Sequence, residues 1–159
     1  MNMQINVRRA THDDLGALKH LEQQLINFER QFDPDIREGE NVHYYDLEKL
    51  LMQDNISLIV AEVDNKIVGC AFGKIVKAPD WSESEYIGHI KMVFVEEEYR
   101  KKGVGRAIFA GLKKWFREKQ AASVYVEFYL DNTNALEAYK KYGFKPYTMI
   151  MKMGEGGDS

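Results

Sequence analysis

The chain has 159 residues, 45% of them apolar and 30% charged, enough for one domain with an ordinary hydrophobic core and no disulfide or metal staple. Its net charge of −3 argues against nucleic acid as the main partner, and no run approaches the roughly 20 apolar residues of a membrane span. A lone cysteine, Cys70, excludes an internal disulfide framework, and with no signal-peptide pattern at the N-terminus a cytoplasmic protein is expected.

Residues 4–9 alternate polar and apolar, the pattern of a short half-buried strand. Thr11 and Asp14 resemble a capping box with Asp in the place of Glu. Leu15, Leu18, Leu21, Leu25, Phe28 and Phe32 then recur every three or four residues, which predicts an amphipathic helix of about 18 residues. A loop follows from Asp33 to Glu40, and Tyr44, Leu47, Leu50 and Leu51 predict a shorter helix near 43–53. From Ile56 the period becomes that of strands. Ile56–Val63 and Lys66–Val76 flank Asp64-Asn65, a two-residue hairpin signal. Gly69, Ala71 and Gly73 share one face of the second strand, so another element must pack closely there. A polar loop over 77–84, with Pro79 and an isolated Trp81, leads to a strand at Tyr86–Val95. Val104, Ile108, Leu112, Trp115 and Phe116 predict a helix over 103–119. Ser123–Tyr129 reads as a strand, Asn132–Tyr142 as a helix and Phe144–Met153 as a final strand or hairpin. One domain over 1–153 is expected, with a disordered tail at 154–159. The element order predicts an α/β fold, a mixed sheet with helices on both faces.

The most telling stretch runs from Val93 to Arg106. An apolar, β-branched run gives way to a basic turn punctuated by Gly103 and Gly105, and then to helical periodicity. The first N–H groups of a helix lack partners inside it, and the macrodipole adds positive charge there, so a phosphate docks readily. Glycine lets the backbone approach such a ligand, and Arg100, Lys101, Lys102 and Arg106 surround it with positive charge. The P-loop string is absent, and the dinucleotide fingerprint lacks its third glycine. What remains, Arg-x-x-Gly-x-Gly between a strand and a helix, describes a plain solvated connection equally well when taken alone.

Downstream, Asn132, Ala135, Tyr139, Gly143 and Phe144 follow the spacing Asn-x-x-Ala-x-x-x-Tyr-x-x-x-Gly-Phe. Together the two stretches resemble the GNAT superfamily of N-acetyltransferases, specifically over about 86–146 and only in element order over 1–76. Glu97 stands where that family often has Pro, and Ala138 where a larger apolar residue is usual; neither change removes a chemical group that the mechanism needs. The resemblance implies a mostly antiparallel sheet whose strands splay around acetyl-CoA, the co-substrate, with no metal. Met92, Val93 and Val95 would offer backbone groups to the pantetheine arm and the acetyl carbonyl, an N–H there acting as an oxyanion stabiliser. Backbone amides of Arg100, Lys101, Lys102, Gly103, Val104, Gly105 and Arg106 would hold the pyrophosphate. Asn132 would hydrogen-bond the pantetheine arm, or simply cap its helix. Tyr139 would protonate the departing CoA sulfur, or simply fill its helix face.

An acceptor amine must lose a proton before attack, and Glu127 is the candidate base. Tyr125, Glu127 and Tyr129 share one face of their strand, and a buried carboxylate is costly unless paired or used. Some members of the family, notably those acetylating protein N-termini, place a base at this point. His12, His20, His43, His89 and Cys70 have no metal-ligand spacing. His89 either lines the cleft or packs as a structural histidine. Asp33, Asp35, Glu38 and Glu40 fall where the family builds its acceptor pocket, with Tyr44, Tyr45 and Trp81 as further lining candidates. The resemblance implies an enzyme acting on a small-molecule amine, or alternatively on a peptide or protein amine. A coenzyme-binding module without turnover is the rival from another class. No nucleic-acid or membrane partner is expected, and a homodimer fits the family.

Overall fold

In the computed structural model, which describes residues 3–154, five strands form one sheet in chain order. β1 (Ile5–Arg9), β2 (Ile56–Val63), β3 (Lys66–Lys77) and β4 (Tyr86–Val95) pair antiparallel in succession, and β5 (Val124–Val126) joins β4 in parallel. The sheet is therefore mixed and mostly antiparallel. The β2–β3 turn holds Asp64 at φ +50° and Asn65 at φ +62°, the two left-handed residues that a tight hairpin requires.

The two faces follow from strand alternation. Leu58 and Val60 of β2 meet α1 (Leu15–Glu29) and α2 (Leu47–Met52), while Ile59 and Ala61 meet α3 (Val104–Glu118). The close approach expected at Gly69 and Gly73 is made by α3. A Cβ on Gly69 would lie 3.1 Å from the Ile108 side chain, and one on Gly73 would lie 2.9 Å from the Phe116 ring. Gly88 of β4 is tighter still, at 2.4 Å from that ring.

The chain enters α1 through a short turn. Asp14 accepts from the Thr11 N–H at 2.7 Å, the reciprocal half of the expected cap, and the Arg8 guanidinium grips the same carboxylate at 2.7 and 2.9 Å. That pairing holds the Asp14 pKa down to about 2. α1 stops at Glu29, short of the expected Phe32, because the Phe32 and Asp33 N–H groups both turn back to the Glu29 carbonyl. α2 starts at Leu47 rather than near residue 43, since Asp46 caps it by accepting from the Lys49 N–H. Residues 43–45 are instead tied to Glu22. This fully buried carboxylate accepts from the Tyr44 and Tyr45 N–H groups at 3.2 and 3.0 Å and faces His43 Nδ1 at 3.1 Å.

Two expectations at the C-terminal end are corrected. The strand expected over 123–129 is only β5, three residues long, and no strand forms over 144–153. The alternation is present in that last segment, but a strand needs a neighbour's ladder, and its backbone makes no ladder with β5. It is held by side chains, with the Tyr147 ring 5.6 Å from Tyr125 and Lys152 paired to Asp33 and Asp35. Met149, Ile150, Met151 and Met153 are left exposed. α4 (Thr133–Lys141) forms as expected, and the tail from residue 155 lies outside the described residues. Among the described residues, no helix is long and apolar enough to cross a membrane.

Candidate active site

The site begins with a fault in the sheet. Pairing of β3 with β4 passes from Phe72–Lys91 to Cys70–Phe94, so Met92 and Val93 together stand opposite Ala71 alone. This bulge holds Met92 at φ +58°, a left-handed conformation that costs a non-glycine residue about 1–2 kcal/mol. Bulges bend a strand and increase its twist. The β4–β5 pairing ends immediately before the bulge, at His89–Tyr125 and Ile90–Val126. Lys91–Val95 therefore keeps a β5-side edge with no strand on it, and the two strands part. Met92, Val93 and Val95 all lie on this segment. Two of their carbonyls are already engaged: Met92 O with the Cys70 thiol at 3.6 Å, and Val95 O with Arg100 Nε at 2.8 Å. Burial pushes the Cys70 thiol up to about 12, which removes it as a nucleophile.

At the end of β4 the chain turns through Lys101 at φ +61° and Gly103 at φ +92° into α3. No side chain caps this helix. The Ala107 N–H finds the Gly103 carbonyl, while the Val104, Gly105 and Arg106 amides precede the first intrahelical bond. Gly103 is required by its conformation. At Gly105 a Cβ would lie 3.0 Å from the Tyr142 hydroxyl, a tight approach that the tyrosine must yield to. Arg100 is not a mobile charge. Its guanidinium lies 5.2 Å from the ring centres of both Phe28 and Phe94, pinning the end of β4 to α1.

On the other side of the parting, Tyr139 of α4 stacks on Phe128 at 5.3 Å and meets Phe144 edge-on at 5.7 Å. Burial, then the charges of Tyr142 and Glu29, push its phenol well above the ordinary tyrosine value. Asn132 caps α4, its Oδ1 accepting from the Ala135 N–H at 3.2 Å. Glu127 lies just past β5 and is exposed, so the burial argument for it does not hold; its charge reaches Tyr45 and His89. His89 packs on Tyr125, and burial followed by Lys91 lowers its pKa.

One carboxylate was not singled out from the sequence. Leu18, Glu22, Leu25 and Glu29 fall on one face of α1, so Glu29 continues the inward stripe, and that placement is the signal that was available. It is half-buried, and burial raises its pKa. Its charge is felt by Tyr44, Tyr45, Tyr129 and Tyr139. Beside it the Tyr129 hydroxyl donates to Asp33 at 3.0 Å, and Phe32 stacks on the Tyr129 ring. Trp81 is exposed, and Tyr45 packs edge-on against Phe72 in the core.

The family model described as the acetyltransferase (GNAT) family matches residues 21–144. An N-alpha-acetyltransferase from Sulfurisphaera tokodaii is 33% identical over 120 residues, covering 70% of each chain. In three dimensions, a mutant of the BH1408 protein from Bacillus halodurans superposes with a TM-score of 0.84 at 21% identity, covering 94% of this chain and 98% of that one. An aminoglycoside N-acetyltransferase solved in complex with CoA gives 0.75 at 18% identity, covering 98% and 97%. The chain belongs to the acetyltransferase (GNAT) family. By class it is an acyltransferase enzyme of the N-acetyltransferase kind.

Proposed function

We propose that the protein moves the acetyl group of acetyl-CoA onto a primary amine by direct attack, with a small cationic amine as acceptor. The observation that carries this reading is the parting of β4 from β5 at the Met92 bulge, with the free amides of α3 at its end. These residues fit the coenzyme: amides of Gly103–Arg106 for its diphosphate, the β4 edge at Met92, Val93 and Val95 for its extended arm, and the Asn132 carboxamide beside that arm. When bound, the coenzyme supplies an activated thioester.

The chain's own groups do the rest. A β4 amide directed at the acetyl carbonyl would stabilise negative charge developing on its oxygen. Tyr139 is protonated at neutral pH, as any phenol titrating near ~10 is, and burial raises its pKa further, so its hydroxyl can donate to the sulfur as the C–S bond breaks. A thiolate titrates lower than a phenol, so that hydrogen bond stabilises it more than it protonates it. Glu29, Asp33, Tyr44, Tyr45 and Tyr129 give the acceptor end acidic and aromatic chemistry suited to a cation.

A peptide acceptor is the second reading, and the archaeal relative named N-alpha-acetyltransferase favours it. The test is thiol release from acetyl-CoA with spermidine, kanamycin and a short peptide bearing a free α-amino group. Turnover with the first two supports the proposal, and turnover with the peptide alone moves the acceptor to the second reading. Coenzyme binding without turnover by any of them would leave a binding module, and calorimetry showing no coenzyme binding would sink the whole reading.

A further inference from the structure

A row of four side chains joins the end of β4 to the segment after β5, across the gap where the two strands part. The Arg100 guanidinium lies 5.2 Å from the ring centre of Phe28 in α1. Phe28 meets Phe32 edge-on at 5.5 Å, and Phe32 stacks on Tyr129 at 5.8 Å. Asp33 accepts from the Tyr129 hydroxyl at 3.0 Å, so two consecutive residues hold that side chain by its ring and by its oxygen. Their own placement is fixed from behind. The Phe32 and Asp33 N–H groups turn back to the Glu29 carbonyl at 2.9 and 3.1 Å, and Asp33 also accepts from the Asp35 N–H at 3.0 Å.

The two faces of the sheet place this row relative to the reacting groups. α3, whose first amides are the proposed diphosphate ligands, packs on the Ile59 and Ala61 face, and α1 packs on the opposite one. A coenzyme held by α3 therefore enters the gap from the α3 face and leaves the α1 face to the amine. There the amine meets Phe28, Phe32 and Tyr129. The row also stands next to the chemistry, because Phe128, the residue before Tyr129, stacks on Tyr139 at 5.3 Å. All three rings are half-buried, so part of each remains open to an incoming molecule. A ring with neighbours on both sides does not swing aside freely, since each displacement forfeits contacts at both.

We propose that Phe28, Phe32 and Tyr129 form a wall that selects acceptors by girth, admitting a primary amine on an unbranched methylene chain and rejecting one carried beside a ring or a branch. This selection rests on the acetyl-transfer reading above. A methylene chain lies along the ring faces and gains dispersion contacts, and its ammonium is attracted by the same faces. A bulky body has to push Phe32 away from Tyr129, which breaks the stack and strains the bond to Asp33 at once. Phe32 is the specificity-determining residue, because it touches both Phe28 and Tyr129. Discrimination of this kind acts on transition-state contacts with the acceptor, so it is read in ratios of kcat/KM and leaves coenzyme affinity alone.

The test compares wild type with Phe32→Ala, Phe32→Trp and Tyr129→Phe, reading kcat/KM for spermidine as the slender acceptor and kanamycin as the bulky one. Where only peptides turn over, peptides beginning with Gly and with Phe make the same pair. Phe32→Ala should raise the bulky-to-slender ratio about 10-fold, and Phe32→Trp should lower it. Tyr129→Phe keeps the stacked ring and loses the bond to Asp33, so its ratio should rise about threefold. Coenzyme binding by calorimetry should stay within about twofold of wild type in all three, which also shows that they fold. A ratio within about twofold of wild type in a Phe32→Ala protein that binds coenzyme would overturn the proposal. So would an equal loss of activity towards both acceptors, the mark of a packing role. Should Phe32→Ala fail to fold, the opposed shifts of Phe32→Trp and Tyr129→Phe decide the matter, and their absence overturns it. A wild type that binds coenzyme and acetylates no amine defeats the acetyl-transfer reading and this proposal together, whereas a working enzyme with an unmoved ratio defeats this proposal alone.

Discussion

Replacing Tyr139 by Phe removes one oxygen and leaves the stacking surface in place. The ring contacts with Phe128 at 5.3 Å and Phe144 at 5.7 Å do not need the hydroxyl, so the melting temperature should change by less than about 2 °C. The catalytic effect should be much larger. A hydrogen bond to a charged group contributes about 1.5–3 kcal/mol, and the bond proposed here forms only as the thiolate develops. Converted at 1.36 kcal/mol per factor of ten, that predicts a fall in kcat of about 10- to 150-fold. Coenzyme affinity should be unchanged, because the ground-state thioester sulfur is a poor acceptor. The pH profile supplies a second readout. A phenol donates only while protonated, so wild-type kcat should fall as pH rises through its folded pKa, and burial places that limb above the ordinary ~10. The limb should vanish in Tyr139→Phe. The assay is thiol release at saturating amine and acetyl-CoA, with coenzyme binding followed separately by calorimetry. If kcat stays within twofold of wild type while binding is intact, Tyr139 is a packing residue and the reasoning fails.

Three further outcomes follow from the geometry. Gly88→Ala places a Cβ 2.4 Å from the Phe116 ring where β4 meets β5, and the forced shift should cost about 1–3 kcal/mol in urea unfolding. Asp14 is held at about 2 by Arg8 against about 3.9 in the unfolded chain, so its ionised form should contribute about 2 kcal/mol. Because the folded value is the depressed one, that stability is present above pH ~4 and lost as pH falls towards ~2; the gap between wild type and Asp14→Asn should close over that window. Asn132→Ala removes the α4 cap and should cost about 0.5–2 kcal/mol, whereas Asn132→Asp keeps a capping oxygen. A weaker coenzyme Kd in the Asp variant at an unchanged melting temperature would separate ligand binding from capping.

The fold was legible where a side-chain pattern is itself the cause of the structure. The Asp64-Asn65 hairpin, the leucine stripe of α1 and the close α3 contact at Gly69 and Gly73 all follow from local rules of period, turn and volume. The misreadings occurred where partners decide. Phe144–Met153 alternates like a strand, but alternation supplies only a face, and the ladder depends on a neighbour that β5 does not provide. Glu127 was assigned to a buried sheet on the same assumption, and β5 ends one residue before it.

The same distinction separates the proposed coenzyme end, whose candidate residues lie in two compact stretches of sequence, from the proposed acceptor end, whose candidates are scattered. Binding a diphosphate draws on main-chain amides, and the residues that free them are conspicuous: Gly103 at φ +92° and an uncapped helix start. The decisive distortion at Met92 is silent in the sequence. Nothing about a methionine among β-branched neighbours announces a left-handed residue, and only the register jump opposite Ala71 reveals it. At the acceptor end the informative residues come from α1, the loop before α2, the end of β5 and α4, and they are ordinary in any local window. Glu29 is conspicuous only once α1 is folded, as the last residue of its inward stripe. Burial raises its pKa, the Tyr44 hydroxyl acts against that rise, and the Asp33 charge adds to it. No local window of the sequence shows that these segments meet, so that end of the molecule is legible only in three dimensions.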